Sequence, residues 1–242
     1  MAYIDWLERT ELLIGEEALV RLNNANILLV GLGGVGSFAG EFLIRSGIGN
    51  MTIVDGDAVD HSNKNRQLQA LDSTIGQNKA FLLYSRYKDI NPDANLTYIE
   101  RFLEPNDIMD ILEDQRYDYV LDCIDSVSPK ITLITIAKRQ NIKIISSMGA
   151  GGKLDPSKIK VSDIAKSKEC KFAQQVRKRL KKEGIKTGIP VVYSEEIQPK
   201  EALKYTDGTK YKRSYYGTIS YMPALFGLTI AAEVIQSIIN EK

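Results

Sequence analysis

The chain has 242 residues, and its 32 lysines and arginines against 31 aspartates and glutamates give a formal net charge of +1. That balance excludes a uniformly basic nucleic-acid-binding protein, so any surface for a polyanion must be local. Its two cysteines, Cys123 and Cys170, exclude a disulfide framework and a four-cysteine zinc site.

Apolar runs alternate with helical spacings along the first 150 residues. Strands are predicted at residues 26–30, 51–54, 96–100, 119–124 and 143–147. Helices are predicted at residues 37–46, 79–88, 107–113 and 130–140. This alternation predicts an α/β fold, a doubly wound, Rossmann-like and mostly parallel sheet. We expect residues 1–150 to form a nucleotide-binding core with an N-terminal helix, and residues 151–242 to extend the same integrated domain.

A glycine loop, GLGGVG, follows the first predicted strand and opens the first helix of the core. Its glycines are Gly31, Gly33, Gly34 and Gly36. They allow a tight turn and a close approach of phosphate to the backbone. Asp55, at the end of the second strand, is at the right distance to accept bonds from ribose hydroxyls. Taken alone, this pattern favours a nicotinamide or flavin nucleotide.

The segment DHSNKNRQ, just past that aspartate, changes the interpretation. Together with the next helix it places Asn63, Arg66 and Lys79 near the same strand ends. Three such donors fit a triphosphate better than a dinucleotide, because the charge of a triphosphate must be neutralised. Asp125, at the end of the fourth strand, could hold the accompanying magnesium. We expect Ser128 or Pro129, rather than Asp125, to begin the following helix.

Five motifs within residues 9–126 occur in order: RTELLIG, GLGGVGS, VDGDAVDHSNKNRQ, IGQNK and DCIDS. In this respect the chain resembles the ThiF/MoeB-type adenylating enzymes, which are relatives of the ubiquitin-activating enzymes. The resemblance implies that the nucleotide is ATP rather than NAD. It also implies that the enzyme adenylates a carboxylate and releases pyrophosphate.

The resemblance implies a role for each residue of these motifs. The implied ATP-binding set, besides the four glycines of the loop, is Asp55 on the ribose and Asn63, Arg66 and Lys79 on the phosphates. The implied catalytic set is Asp125, Lys79, Arg66 and Arg9. Asp125 is the magnesium ligand of that set. Arg9 reaches the phosphates of the neighbouring subunit, which implies a homodimer.

The second half carries a further resemblance, through KVSDIAKSKECKFAQQVRKRLKKEGI, VVYSEE and GTISYMPALFGLTIAAEVI. These stretches resemble the branch of the family that dehydrates threonylcarbamoyladenosine in tRNA to its cyclic form. The implied partner is tRNA carrying that nucleoside, and a sulfur-relay or cysteine-desulfurase-type partner is kept as a second one. The alternative function is adenylation of the C-terminal Gly-Gly of a sulfur-carrier or ubiquitin-like protein.

The cysteines bear on that alternative. Carrier-activating members usually have two CxxC pairs for zinc, and this chain has none, so no structural zinc is expected. Cys123 falls in an apolar run and is expected in the core. Cys170 lies among charged residues, where the sequence departs from the family's pattern, and is expected to be an incidental surface thiol. His61 is expected to be a surface histidine beside the phosphate-binding segment.

Residues 166–186 are strongly basic, and we expect tRNA contacts from Lys171, Arg177, Lys178, Arg179, Lys181 and Lys182. Phosphate-backbone contact suits such a segment, although a solvated lysine-rich helix would have the same composition. Residues 187–217 are interpreted as a mobile polar loop. Its tyrosines, Tyr205, Tyr211, Tyr215 and Tyr216, could stack on unpaired anticodon-loop bases or pack in a dimer interface.

A last helix is predicted from near Pro223 to the C-terminus, packing back on the core. Residues 224–239 are expected to be too short to span a bilayer, and Glu233 and Gln236 interrupt them. The N-terminal residues contain acids and no long apolar run, so no signal peptide is expected. The sequence therefore predicts a cytoplasmic protein without membrane association.

Overall fold

The computed structural model describes residues 5–205 and 214–241, which form a sheet flanked by helices. The strands of the sheet are β1 Asn26–Val30, β2 Asn50–Val54, β3 Asn95–Ile99, β4 Tyr119–Asp122, β5 Lys143–Ser147, β6 Ile159–Asp163 and β7 Pro190–Ser194. A separate two-stranded hairpin is made by β8 Leu203–Tyr205 and β9 Ser214–Tyr216. The helices are α1 Glu8–Ile14, α2 Glu16–Asn24, α3 Gly36–Arg45, α4 Lys79–Ile90, α5 Pro105–Asp114, α6 Val127–Arg139, α7 Lys171–Lys182 and α8 Tyr221–Ile239.

The strand order of the main sheet is β3-β2-β1-β4-β5-β7-β6. All neighbouring pairs are parallel except β6, which runs antiparallel to β7 at one edge. The chain reverses its direction of travel across the sheet between β1 and β4. In doubly wound sheets, ligands bind at the carboxyl ends of the strands beside such a switch point. The predicted fold class is confirmed, and the switch point lies beside the glycine loop.

The core consists of two apolar layers, one on each face of the sheet. Helices α3, α4 and α8 cover one face, with Leu43, Leu83 and Phe226 in the buried layer. Helices α5, α6 and α7 cover the other face, with Ile134 and Val176 among the buried side chains. Burial on both faces explains why central strands such as β1 are continuous apolar runs without alternation.

The second half of the chain contributes four strands that the sequence does not predict, and two of them, β6 and β7, belong to the main sheet. Residues 190–194 were interpreted as polar loop, but they form β7, which is paired with β5 and largely buried. The antiparallel edge strand β6 was missed as well. Both strands are five residues long, and a short apolar run among lysines and glycines gives little periodicity. The predicted loop is therefore wrong at β7, β8 and β9, while Tyr211 lies outside the described residues.

The last helix begins at Tyr221, close to the predicted start at Pro223. With 19 residues and a mean hydropathy of 1.6, it is long and apolar enough to cross a membrane by length and composition. The expectation that this stretch is too short is therefore wrong. Its apolar residues have a role in the core, because α8 packs against α2, α3 and the sheet. The absence of membrane association stays a prediction.

Cys170 differs from the expectation, whereas Cys123 is partly buried and packs against the core. Cys170 is 5% exposed and not a surface thiol, because it packs in the apolar layer beneath α7. It is the N-cap residue of that helix, and its sulfur accepts a bond from the Ala173 amide. Cys123 lies just after β4, in the turn that follows the strand, and is partly buried. Burial, reinforced by the nearby Asp122 carboxylate, raises the pKa of the Cys123 thiol. Neither thiol is placed as a reactive nucleophile.

Candidate active site

The glycine loop folds tightly against the turn that follows β4. Gly31 has a φ of +91°, and a Cβ at this position would lie 2.7 Å from the Cys123 carbonyl oxygen. At Gly36, the first residue of α3, a Cβ would lie 1.8 Å from the Gly31 carbonyl oxygen. Neither distance is compatible with a side chain, so both glycines are required for the loop to close. The loop brings the start of α3 close to the carboxyl ends of β1 and β4.

Asp55 follows β2 and stabilises this loop. Its Oδ2 accepts a bond from the Leu32 amide at 2.7 Å, and its Oδ1 accepts one from the Asp57 amide at 2.8 Å. Burial raises the pKa of the Asp55 carboxyl, and the positive charge of Lys79 opposes that rise. Each carboxylate oxygen can accept more than one hydrogen bond, so both remain able to bind a ribose hydroxyl.

Lys79 is the first residue of α4, and it is buried where it lines the site. Asn78 caps this helix by accepting bonds from the Ala80 and Phe81 amides at 2.7 and 3.2 Å. The Lys79 side chain is 6% exposed, and its Nζ lies 3.2 Å from Asp57 Oδ2. Sequence reasoning missed Asp57, although the repeated acid in the motif DGD was a signal for it.

The segment between β2 and α4 presents Arg66. Asp60 accepts a bond from the Ser62 amide at 2.8 Å, and the side chain of the buried Asn63 accepts one from the Asp60 amide at 3.1 Å. Arg66 Nη1 donates to the Ser62 carbonyl at 2.7 Å and to Asn65 Oδ1 at 2.8 Å. Burial lowers the pKa of Arg66, and the Asp125 carboxylate opposes that change. The guanidinium is thus held by local bonds at the site.

Asp125 lies in the turn between β4 and α6, exposed to solvent, with the Ser126 hydroxyl donating to its Oδ1 at 3.4 Å. The prediction that Ser128 or Pro129 begins the next helix is wrong. The N-cap of α6 is Ser126, and the helix starts at Val127. No group of three or more His, Cys, Asp or Glu in residues 5–205 and 214–241 could hold a metal ion by itself. One carboxylate together with phosphate oxygens is nevertheless a usual set for Mg²⁺.

Arg9 is exposed on α1 and does not line the cleft that contains the other predicted residues. Its neighbour Leu7 packs beside Gly47, where a Cβ would lie 2.9 Å from Leu7 Cδ1. Gly47 precedes β2, so this end of α1 lies at the amino ends of the strands, away from the cleft. A single chain therefore does not bring Arg9 together with Arg66 and Lys79.

The predicted nucleotide residues, except Gly36, line one cleft of about 1600 Å³ at the carboxyl ends of the strands. His61, exposed as predicted, lines it too. The opposite wall is made by the start of α7 and by the hairpin, through Lys171, Phe172, Gln175, Tyr205, Tyr215 and Tyr216. Pockets for one small ligand measure about 300–1,000 Å³. This cleft therefore has room for a nucleotide and part of a second substrate.

The base of the hairpin is bonded to the nucleotide side of the cleft and to the segment that follows β5. Asn65 Nδ2, from the phosphate-side segment, donates to the Thr218 carbonyl at 2.9 Å. The Gly152 amide, after β5, donates to the Gly217 carbonyl at 2.8 Å. The hairpin is therefore tied to the nucleotide side and to the sheet at once.

Helix α7 presents most of the basic residues on its surface. Exposed side chains are Lys171, Lys178, Arg179, Lys181 and Lys182. Arg177 differs, because its Nη1 donates to the Ile164 carbonyl at 3.2 Å and to the Ser167 carbonyl and hydroxyl at 2.8 and 2.7 Å. Arg177 therefore holds the helix to the preceding turn, whereas the exposed residues extend into solvent.

Comparison with known proteins places this geometry in a family. The ThiF family model matches residues 7–242. The chain belongs to the ThiF family. The tRNA threonylcarbamoyladenosine dehydratase of Bacillus subtilis is 38% identical over 240 residues, which cover 96% of this chain and 94% of the relative. The enzyme of that name from Escherichia coli is 36% identical over 251 residues, covering 96% and 93%.

A solved structure agrees with the fold. The crystal structure of E. coli tRNA N6-threonylcarbamoyladenosine dehydratase, TcdA, in complex with ATP superposes with a TM-score of 0.88. It is 34% identical, and the match covers 98% of this chain and 95% of the E. coli chain. The resemblance seen in the motifs is thereby confirmed, and it extends through the second half of the chain.

Proposed function

We propose that this ThiF-family chain is an ATP-dependent tRNA-modifying enzyme, which dehydrates threonylcarbamoyladenosine beside the anticodon to its cyclic form. The observation that carries the proposal is that one cleft is lined by both groups of predicted residues. One wall holds Asp55, Arg66 and Lys79, and the other holds the start of the basic helix α7 and the tyrosine hairpin. The dehydratases described above align along almost the whole chain, including that second wall.

ATP occupies the glycine-loop side in this proposal. Asp55 accepts bonds from the ribose, while Asn63, Arg66 and Lys79 contact the phosphates. Support comes from the low exposure of Lys79 and from the bonds that hold Arg66, because cations already fixed in place need little rearrangement to meet a developing charge.

Asp125 is the residue that would hold magnesium, together with the phosphates of ATP. It lies at the mouth of the cleft, close enough to Arg66 for their charges to interact. When bound, magnesium neutralises charge on the phosphates and on the departing pyrophosphate. The carboxylate of Asp125 fixes where that neutralisation takes place.

The reaction has two steps. An oxygen of the threonyl carboxylate attacks the α-phosphorus of ATP, the bond to pyrophosphate breaks, and Arg66 and Lys79 offset the negative charge that develops. A nucleophile of the same modified nucleoside then attacks the acyl carbon, loses its proton and releases AMP. The nucleoside thereby loses one water overall. Because this closure is intramolecular, proximity supplies much of the acceleration and no enzyme nucleophile is required.

A homodimer would complete the site with Arg9 from the second copy. Arg9 lies away from the cleft of its own chain, and α1 also exposes Leu12 and Leu13 by 82% and 84%. Adjacent exposed leucines on a helix are unusual in a monomer and suit a protein interface. A second chain covering these leucines would bury α1 and would bring Arg9 to the phosphates of the ATP bound in the cleft of that second chain.

The RNA contacts are proposed for α7 and the hairpin. Lys171, Lys178, Arg179, Lys181 and Lys182 would contact the tRNA backbone, and Arg177 would act by holding α7 in place. Tyr205, Tyr215 and Tyr216 line the cleft, where unpaired bases can stack on them. A tRNA substrate also supports a cytoplasmic location without membrane association.

The alternative substrate, a carrier protein ending in Gly-Gly, has less support. The chain lacks the CxxC pairs usual in that branch, and the absence of structural zinc stays a prediction. A sulfur-relay or cysteine-desulfurase-type partner would find no accessible thiol at Cys170, which is buried.

Nucleoside mass spectrometry tests the proposal. Threonylcarbamoyladenosine-containing tRNA is incubated with the protein and MgATP in a mild buffer, with Asp125→Ala as the control. A nucleoside lighter by one water, absent with Asp125→Ala, is the expected result. An unchanged nucleoside, with ATP–pyrophosphate exchange that appears only when a Gly-Gly carrier is added, would move the assignment to the carrier-activating branch.

A further inference from the structure

A buried ion pair lies directly beneath the turn that carries Asp125. Lys130 Nζ is 2.7 Å from Asp122 Oδ2, and both side chains are 0% exposed. The same ammonium donates to Ser146 Oγ at 3.1 Å and to the Ser147 carbonyl at 3.0 Å. All three of its donors are therefore satisfied. Among the ion pairs of residues 5–205 and 214–241, this one alone has both partners fully buried.

The carboxylate of Asp122 is equally well bonded. Its Oδ2 also accepts a bond from Ser146 Oγ at 2.6 Å, and its Oδ1 accepts one from the Ile124 amide at 3.1 Å. The bond from the Ile124 amide holds the backbone of the turn, one residue before Asp125. The carboxylate therefore fixes the first part of this turn.

The position of the pair in the fold is informative. Asp122 ends β4, and Lys130 lies in the first part of α6, so the two partners bracket the turn that bears Asp125. Ser146 and Ser147 end β5, and the residues that follow, 148–151, line the cleft. Lys130 Nζ also lies 5.9 Å from the ring centroid of Phe172, which is in the substrate-side wall. One ion pair thus connects the Asp125 turn to the opposite wall.

Stability alone is a weak reason for such a pair. Removing two charges from water is costly, and apolar replacements of similar volume are often neutral or stabilising. Removing a single partner is different, because it leaves an uncompensated charge in the core. The pair supplies a set of directional hydrogen bonds at a turn, and apolar side chains cannot form such bonds.

We propose that Lys130 and Asp122 are positioning residues, which hold Asp125 at the place where it binds magnesium and faces the substrate. This inference rests on the proposed function for its activity readout, but not for its binding readout. A displacement of about 1 Å at a reacting centre can cost about 100-fold in rate, so loss of the pair should be visible in catalysis.

The main variant is Lys130→Met combined with Asp122→Leu, which replaces both charged groups by apolar side chains and removes the acceptor of the Ile124 amide. A merely structural pair predicts an unchanged turnover wherever the variant is folded. A positioning pair predicts a thermal midpoint close to that of the wild type and a kcat lower by about 10- to 100-fold. The KM for tRNA should be unchanged, since neither residue contacts the RNA.

A second measurement does not depend on the tRNA reaction. ATP affinity is measured by calorimetry with and without magnesium for the wild type and the double variant. The affinity without magnesium should be the same for both proteins, whereas the gain on adding magnesium should be lost in the variant. If the wild type forms no dehydrated nucleoside, the proposed function fails, and this binding result alone decides the present inference.

The matched control removes a different ion pair. Glu41, in α3, is largely buried and pairs with Arg86 of α4 at 2.8 Å, and neither residue lines the cleft. Glu41→Gln with Arg86→Met should keep both the kcat and the magnesium effect.

If the Lys130/Asp122 variant does not fold, Ser146→Ala removes one bond from each partner and should lower the kcat about two- to fivefold. A folded variant with normal kcat and a normal magnesium gain would overturn the inference, as would a wild type whose ATP affinity ignores magnesium.

Discussion

The two walls of the cleft hold their positive charges in opposite ways. On the nucleotide side, Lys79 is 6% exposed and is paired with Asp57, and Arg66 is bonded to two oxygens of its own segment. On the other side, Lys171 is exposed at the start of α7, and the remaining lysines of that helix are exposed beyond the cleft. The first arrangement fixes each cation at one place, whereas the second leaves long side chains able to follow a flexible partner.

This difference matches what each partner requires. A phosphoryl transfer needs charge at a defined atom, so a cation that is already bonded in position loses little on binding. An RNA backbone offers many equivalent phosphates, and contacts to it are sequence-independent and sensitive to salt. Substitutions on the nucleotide wall should therefore have large effects on the reaction rate, and these effects should differ from one residue to the next. Substitutions on α7 should have small effects that depend on charge and salt.

The largest expected effect on either wall comes from Lys79→Met. This change keeps the apolar stem and removes the ammonium, so kcat/KM for ATP should fall about 100-fold. Lys64→Met is the matched control, since Lys64 is an exposed lysine whose Nζ bonds Asp72 at 2.6 Å on the surface. It should change the rate less than about twofold, because exposed ion pairs contribute little. If steady-state assays show the same loss of kcat/KM for both variants, the positive charge of this region matters and the exact position of the ammonium group does not.

The nucleotide wall could be predicted from sequence because its residues are close to the ends of recognisable strands. Gly31, Asp55 and Asp125 each follow an apolar run, and parallel strands bring those ends together. The positions of Asn63 and Lys79 then follow from chain connectivity. That reasoning located most of the cleft without any knowledge of side-chain contacts.

The parts that sequence did not reveal depend on contacts between distant residues. Lys130 sits in a helical pattern, where a lysine normally indicates a surface position, yet it is buried against Asp122 and Ser146. Cys170 has charged neighbours in sequence, but the packing of α7 buries it. In both cases the residue is buried because a helix packs over it or carries it against the sheet. Local composition does not reveal this packing.

A smaller effect is expected from Lys178→Glu, on the exposed surface of α7 beyond the cleft. Reversing one charge should raise the KM for tRNA about three- to tenfold and leave the KM for ATP unchanged, because only the backbone contact is affected. The increase should shrink as salt is raised from about 50 to 200 mM. Arg116→Glu, an equal change in net charge before β4 at the amino ends of the strands, is the control. A salt-independent effect, or the same effect from Arg116→Glu, would contradict an RNA-binding role for α7.

The smallest effect is expected where the two walls meet, at Asn65. Its Oδ1 accepts from Arg66 at 2.8 Å and its Nδ2 donates to the Thr218 carbonyl at 2.9 Å, so one amide bonds both the phosphate arginine and the base of the hairpin. Asn65→Ala removes the donor to Thr218 without adding a charge, and Arg66 keeps its bond to the Ser62 carbonyl at 2.7 Å. A neutral hydrogen bond contributes about 0.5–1.5 kcal/mol, so the KM for tRNA should rise about two- to tenfold while ATP affinity stays the same. If ATP affinity falls and the KM for tRNA does not, the amide serves Arg66 alone, and the hairpin is positioned by its bonds to the sheet.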